Sequence, residues 1–155
     1  MTAGIFYFSF LALYLAHMQE EYWTGFTRKL PPPRLVGRFA DRGFWVLNPF
    51  LLSIATAFGV AALMGATWAF FWVALWASIC LWNAAAHGIW SLVTHAYQPG
   101  LVTGLLYAPL FVVWAGLLKP QGNADWSTFW LGLLVGLAIS IALAGFAYFG
   151  RRVLR

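Results

Sequence analysis

The sequence predicts an all-α integral membrane protein, a single domain over residues 1–155 built as a bundle of five transmembrane helices. Hydrophobic residues make up 63% of the chain and charged residues only 8%. The mean hydropathy of +0.78 is far above that of soluble domains. The apolar residues also fall in long continuous segments separated by short polar links, which is typical of membrane-spanning helices. The single cysteine excludes a disulfide framework.

Five apolar segments have about the length that a membrane-spanning helix needs. About 20 helical residues cover the roughly 30 Å of a bilayer's hydrocarbon core. The fourth segment contains Pro109, where we expect a kink. The predicted spans lie near residues 4–23, 44–64, 67–95, 101–118 and 127–149.

The basic residues predict the orientation of the bundle. Five spans put the first link and the C-terminus on the same side, and that side then carries every lysine and arginine except Lys119. The excess of positive charge predicts that this side is cytoplasmic and that the N-terminus is outside. Membrane topology and contact with anionic lipids explain the net charge of +5, so we do not expect a nucleic-acid partner. The basic residues on this side are Arg28, Lys29, Arg34, Arg38, Arg42, Arg151, Arg152 and Arg155.

The first span reaches membrane length only by including charged residues. The apolar stretch 4–16 is too short to cross a bilayer, so the helix must continue through His17, Glu20 and Glu21 to Trp23. At 100° per residue, Glu21 lies about 40° from His17 on one side and Glu20 about 60° on the other, so all three share a face. Acidic residues at mid-membrane cost on the order of 2.5–3.5 kcal/mol, and less near the edge. These glutamates are therefore either solvated by lipid headgroups or part of a polar pocket.

A second polar stripe runs along the third predicted span and favours the pocket. Steps of four residues link Asn83, His87, Ser91 and His95, with Thr94 between them on the helical wheel. The predicted orientation places this stripe in the cytoplasmic half, at the depth of the acidic face of the first span. Two polar stripes at one depth predict one shared site.

Metal-dependent catalysis is the first hypothesis for this site. Histidine nitrogen and carboxylate oxygen suit Zn²⁺, Fe²⁺ or Mn²⁺. His17, Glu21 and His87 would supply two histidines and one carboxylate, and Glu20 would act as a general acid or base or as a ligand to a second metal. These four are the predicted catalytic residues, and we expect a hydrophobic or amphiphilic substrate. The residues expected to orient the ligands or to contact substrate are Asn83, Ser91, His95, Tyr97 and Asn48.

Two further classes of function stay open. A metal-free isomerase or cyclase would use the histidines and carboxylates as a proton shuttle, with aromatic walls from Trp76, Trp82, Trp90 and Tyr107. A non-enzyme would bind a b-type haem between histidines of two helices, or would move a cation or proton. Haem ligation gives the glutamates no role, and the sequence lacks the internal repeat common in transporters.

Small residues on the last predicted span permit close helix packing. Gly132, Gly136 and Ser140 recur at a spacing of four residues, the pattern of tight helix contacts in membranes. The pattern is compatible with packing inside the chain and with a homodimer. The other expected partners are membrane lipids and the small-molecule substrate.

Several motifs together resemble the HXXEE-domain family of small bacterial membrane proteins. The first is "HMQEE" at residues 17–21, and the later motifs are Asn83, His87 and "YQPG" at 97–100, which continues as "LVTG". Where family members often carry basic residues before the tyrosine, this chain has His95 and alanine. The resemblance implies a protein of the bacterial cytoplasmic membrane with enzymatic activity, and it names no substrate.

Overall fold

The computed structural model describes residues 2–26, 33–118 and 126–153, and over these residues the chain forms five α-helices and no strand. The predicted all-α class is therefore confirmed. The helices are α1 (Thr2–Trp23), α2 (Pro33–Leu63), α3 (Ala69–Thr94), α4 (Leu101–Leu118) and α5 (Trp126–Val153).

Helix α2 departs most from the predicted boundaries, because it begins at Pro33 and not near residue 44. Proline suits the first position of a helix, where its missing N–H is not needed. The helix also continues through Pro49, whose ring removes one backbone hydrogen bond. Side chains bond to the helix carbonyls beside this point: the Asn48 amide donates to the Phe44 carbonyl at 2.9 Å, and the Ser53 hydroxyl to the Pro49 carbonyl at 2.8 Å.

Within the described ranges, two helical segments are long and apolar enough to cross a membrane, judged by length and composition: Phe44–Leu63 and Ala69–Thr94. Helices α4 and α5 contain shorter apolar stretches, Leu101–Gly116 and Ser127–Ala142. These segments are consistent with membrane association, and the five-span topology stays a prediction. Arg28, Lys29, Lys119 and Arg155, on which the predicted orientation partly depends, lie outside the described residues.

A tight turn reverses the chain between α2 and α3. The Gly65 N–H donates to the Ala62 carbonyl at 3.1 Å, and the Ala66 N–H to the Ala61 carbonyl at 3.0 Å. This pair of bonds is a Schellman motif, which needs a left-handed residue just after the helix. Gly65 supplies it with φ +86°.

Helix α3 is the centre of the bundle and contacts each of the other four helices. It meets α5 closely at two glycines of the small-residue face. A Cβ atom at Gly132 would lie 2.8 Å from the Phe71 carbonyl oxygen, and one at Gly136 would lie 2.7 Å from the Ser78 Cβ. The Ser78 hydroxyl also donates to the Leu133 carbonyl at 2.8 Å. These glycines therefore serve packing inside the chain, and a homodimer through them would require α5 to leave α3.

Aromatic side chains fill the middle of the bundle. Phe10 on α1 stacks on Tyr107 of α4, with ring centroids 6.1 Å apart, and meets the edge of Trp114 at 5.9 Å. Trp114 in turn contacts Phe129 of α5 at 5.7 Å. Tyr7 joins α1 to α2 by donating its hydroxyl hydrogen to the Ala55 carbonyl at 2.8 Å. This packing fixes the positions of the helices whose ends form the polar site.

Candidate functional site

Three residues from two helices converge where α1 and α3 end. His17 and Glu21 lie one turn apart on α1, and His87 comes from α3. The His87 Nε2 is 3.0 Å from the Glu21 Oε1, and the His17 Nε2 is 3.4 Å from the same oxygen. Relative exposures of 1% for His17, 6% for Glu21 and 8% for His87 make this a buried cluster. The two imidazole rings meet edge to face with centroids 5.2 Å apart.

Neighbouring side chains hold the His17 ring at both nitrogens. Its Nδ1 is 2.8 Å from the Thr103 hydroxyl oxygen of α4, and its Nε2 is 2.9 Å from the Asn83 side-chain nitrogen of α3. Tyr107 packs against the ring edge to face at 5.7 Å. His17 is therefore anchored by α3 and α4 as well as by its own helix, and Asn83 takes the orienting position predicted for it.

The turn before α4 covers the cluster closely. Gly100 has φ +84°, and a Cβ atom there would lie 2.6 Å from the His17 Cε1 and 3.1 Å from the Glu21 Cγ. Pro99 and Gly100 are both buried. On the other side of the cluster, the Phe26 ring lies 5.6 Å from the ring of His87. The backbone at Gly100 thus reaches the imidazole at a distance that only glycine permits.

Glu20 turns away from the cluster and binds the start of α4. Its Oε1 accepts a hydrogen bond from the Val102 N–H at 3.0 Å and a short one from the Tyr97 hydroxyl. Its Oε2 accepts from the Thr103 N–H at 2.8 Å and from the Thr103 hydroxyl at 2.5 Å. A carboxylate at a helix N-terminus is stabilised by the free N–H groups and the helix dipole. Four donors thus contact the two oxygens of Glu20, and the structure does not bring this carboxylate into the cluster with His17, Glu21 and His87.

Tyr97 belongs to this contact rather than to the buried cluster. Desolvation of its phenol, together with the hydrogen bond to Glu20, raises the pKa of Tyr97 to about 12. The phenol therefore stays protonated at neutral pH and keeps donating to the carboxylate. The structure thus places Tyr97 beside Glu20, and a role in substrate contact stays a prediction.

Ser91 and His95 form the end of α3 and are not part of the cluster. The His95 N–H bonds to the Leu92 carbonyl and the Ala96 N–H to the Ser91 carbonyl, so α3 ends in a second Schellman motif. His95 takes the left-handed position with φ 50°, and the Ser91 hydroxyl donates to the Ala96 carbonyl at 2.8 Å. The structure therefore does not bring Ser91 and His95 together with the cluster, because α3 ends at Thr94.

The remaining predicted residues divide between core and surface. Asn48 accepts a short hydrogen bond from the Tyr14 hydroxyl, so it ties α2 to α1 and bonds to none of the three cluster residues. Tyr107 is buried against His17, as the aromatic-wall hypothesis needs, whereas Trp76 is buried against Tyr14, about three helical turns of α3 away from His87. Trp82 and Trp90, at 40% and 52% exposed, face outward and cannot line a buried pocket.

The cluster fits a transition metal by the chemistry and spacing of its atoms. His17, Glu21 and His87 each offer one ligand atom, all within 4.8 Å of one another. Tetrahedral zinc with bonds of about 2.0–2.1 Å sets neighbouring ligand atoms about 3.3 Å apart. The two nitrogen–oxygen separations, 3.0 and 3.4 Å, lie near that value, and the shorter one is equally the length of a hydrogen bond. A haem fits less well, because both imidazole Nε2 atoms face one carboxylate oxygen where a porphyrin would have to lie.

Sequence reasoning missed Thr103 and Gly100. Both lie within the stretch "PGLVT" at residues 99–103. A threonine in the first turn of a helix that follows a Pro-Gly turn is a usable signal, because such a residue lies at the end of the bundle where the two polar stripes end.

The fold and the cluster together define a class: an all-α protein with long apolar helices and a buried histidine–carboxylate group of metal-ligand type. The chain belongs to the HXXEE family, described as a protein of unknown function with an HXXEE motif, whose pattern matches residues 8–115. The match includes Glu20 and the three cluster residues His17, Glu21 and His87. Neither the curated proteins nor the solved structures include a match to the chain.

Proposed function

We propose that the protein is a metal-dependent integral membrane enzyme that acts on a hydrophobic or amphiphilic substrate. His17, Glu21 and His87 would hold one divalent transition metal, zinc, iron or manganese, in the cytoplasmic half of the bundle. The observation that carries this proposal is the convergence of two imidazole nitrogens on one carboxylate oxygen, at 3.0 and 3.4 Å, in a buried site.

The donor set favours a catalytic metal over a structural one. Structural zinc sites use four protein ligands, whereas catalytic sites use three and leave a position for water or substrate. Two histidines with one carboxylate form such a set for zinc and for non-haem iron. A bound metal would supply Lewis-acid activation of a carbonyl, a phosphoryl group or a water molecule.

The surrounding residues would orient the ligands and exclude water. Thr103 and Asn83 each contact one nitrogen of His17 and so fix the plane of its ring. The backbone at Gly100 covers the ring at van der Waals distance. Exclusion of water strengthens electrostatic interactions inside a site, which would increase the effect of a bound metal on its substrate.

A membrane setting for this enzyme is supported by the surface of the helices. On α4, Val102, Leu105 and Val112 are 60%, 66% and 69% exposed, and Leu134 on α5 is 62% exposed. Such continuous apolar surface is unusual for a protein in water and suits contact with lipid chains. We therefore propose five spans in the bacterial cytoplasmic membrane, with the N-terminus outside and a substrate that enters from the lipid.

A metal-free acid–base enzyme is the second candidate, and the same contacts favour it. Glu21 lies against both His17 and His87, so a proton could pass between the imidazoles through the carboxylate. This candidate requires the same three residues and no metal. Metal content is therefore the property that separates the two.

Metal analysis of protein purified without a histidine tag tests the proposal. We expect about one equivalent of transition metal per wild-type chain, and a loss of well over half of it in His17→Ala and in His87→Ala, because each removes a nitrogen ligand. His95→Asn is the matched control, since it also removes a histidine but at the exposed end of α3. A metal-free wild-type protein, or full occupancy in both alanine variants, would contradict the metal site.

A further inference from the structure

We infer that Glu20 is a positioning residue, which acts through the Thr103 hydroxyl to fix the tautomer and the orientation of His17. The two adjacent glutamates of the HXXEE motif then have separate tasks. Glu21 faces the buried cluster, and Glu20 controls the histidine of that cluster from the opposite nitrogen. The consequence for metal binding rests on the proposed function, whereas the tautomer itself does not.

We call the chain of hydrogen bonds from Glu20 through the Thr103 hydroxyl to His17 the relay. The direction of its bonds follows from the single hydrogen on the Thr103 hydroxyl. An ionised carboxylate only accepts hydrogen bonds, so at 2.5 Å from the Glu20 Oε2 the hydroxyl must donate its single hydrogen to that oxygen. The same hydroxyl oxygen lies 2.8 Å from the His17 Nδ1. With its hydrogen already used, it can only accept there, and the His17 Nδ1 must carry a proton.

The His17 Nε2 then carries the lone pair through which it would bind a metal. A neutral imidazole with a proton on Nδ1 has its lone pair on Nε2. This lone pair accepts a hydrogen bond from the Asn83 side-chain N–H at 2.9 Å, which agrees with the proton on Nδ1. The same nitrogen lies 3.4 Å from the Glu21 Oε1, and a metal bound between the nitrogen and that oxygen would replace the bond from Asn83.

The hydrogen bonds from Glu20 through Thr103 to His17 do more than cap the start of α4. The backbone N–H groups of Val102 and Thr103 would satisfy the capping function of the carboxylate by themselves. The contact between the Thr103 hydroxyl and His17 adds nothing to the cap, yet it joins the start of α4 to the cluster. Because the two backbone bonds hold the Glu20 carboxylate still, the hydroxyl and the ring are held as well. In many metal sites a carboxylate orients the histidine ligand in this way.

Nitrogen NMR of the histidine side chains tests the relay directly, because the chain has only three histidines. In metal-free wild-type protein labelled with ¹⁵N-histidine, we expect His17 to show a protonated Nδ1 and an unprotonated Nε2. Thr103→Val keeps the shape of the side chain and removes the hydroxyl, so we expect the Nδ1–H form to be lost or mixed with the other tautomer. Thr103→Ser restores the hydroxyl and should rescue the wild-type spectrum. The signal of His95, remote from the relay, is the internal control for folding, and Thr103→Ala replaces the valine variant if that variant does not fold.

Zinc titration of the same proteins gives the second readout. Loss of an outer partner of a histidine ligand lowers metal affinity by about 10–100-fold, so we expect that decrease in Thr103→Val and its rescue in Thr103→Ser. A wild-type His17 with its proton on Nε2, or an unchanged tautomer in both Thr103→Val and Thr103→Ala, would overturn the inference. A wild-type protein that shows the tautomer and its change but binds no zinc would refute the metal site and support the relay.

Discussion

The two adjacent glutamates of α1 lie in different environments, and the comparison separates what each contributes. Glu21 is 6% exposed and contacts two imidazoles. Glu20 is only half-buried and is surrounded by four donors from the turn and first residues of α4. Among the residues that the structure describes, Glu21 therefore has only the two imidazoles as partners, whereas both oxygens of Glu20 accept hydrogen bonds. The surroundings of Glu21 suit a metal ligand, and those of Glu20 suit a residue that holds α1 against the start of α4.

Neutralising each glutamate in turn gives the largest expected difference. Glu21→Gln removes the anionic ligand, so we expect stoichiometric zinc binding to be abolished. Glu20→Gln leaves all three proposed ligands in place and weakens only their support, so we expect a decrease of about tenfold in zinc affinity. Competition titration with a zinc-sensitive dye measures both. Equal losses of zinc affinity in Glu21→Gln and Glu20→Gln would contradict the separate roles that we give the two glutamates.

A matched pair of glycines, Gly100 in the turn before α4 and Gly104 in its first turn, tests how closely the start of α4 must approach the cluster. Gly100→Ala places a Cβ atom 2.6 Å from the His17 ring at a residue with φ +84°, so we expect a loss of about 1–3 kcal/mol in stability together with weaker zinc binding. Gly104→Ala places its Cβ atom 3.5 Å from Ala84 and 3.8 Å from His17, which is ordinary contact and should cost much less.

Thermal unfolding in detergent and zinc titration check this pair. A larger loss of stability or zinc affinity in Gly104→Ala than in Gly100→Ala would contradict the importance we give to the close contact between Gly100 and His17.

The end of α3 gives the smallest expected effect. His95 holds a left-handed conformation that glycine adopts without steric cost. We therefore expect His95→Gly to raise stability by up to about 1 kcal/mol and to leave zinc affinity unchanged. Denaturation curves with and without zinc measure both properties. A clear loss of zinc affinity in His95→Gly would show that His95 contributes to the metal site.

Helical periodicity predicted the cluster well and its details poorly. Glu21 and Glu20 lie about 40° and 60° from His17 on the helical wheel, so the wheel cannot tell which one turns towards α3. The position of α4 decides it, because the N–H groups at the start of α4 attract the half-buried carboxylate. That position depends on the turn at Gly100, which sequence periodicity does not describe.

The sequence pattern and the structure also differ at the ends of two helices, α3 and α2. The polar stripe of α3 was extended by periodicity to His95, but a Schellman motif ends the helix at Thr94. Helix α2 likewise begins at Pro33, before its apolar segment Phe44–Leu63, and that segment agrees with the span predicted near residues 44–64. Hydropathy finds apolar segments, and it does not find the helical turns that extend beyond them.

X-ray absorption spectroscopy of the zinc-loaded wild-type protein tests the central claim most directly. We expect two imidazole ligands, with only oxygen ligands completing the zinc coordination, and the loss of this signal in Glu21→Gln. Zinc that shows no imidazole scattering, or an identical spectrum in Glu21→Gln, would contradict a metal centre formed by His17, Glu21 and His87.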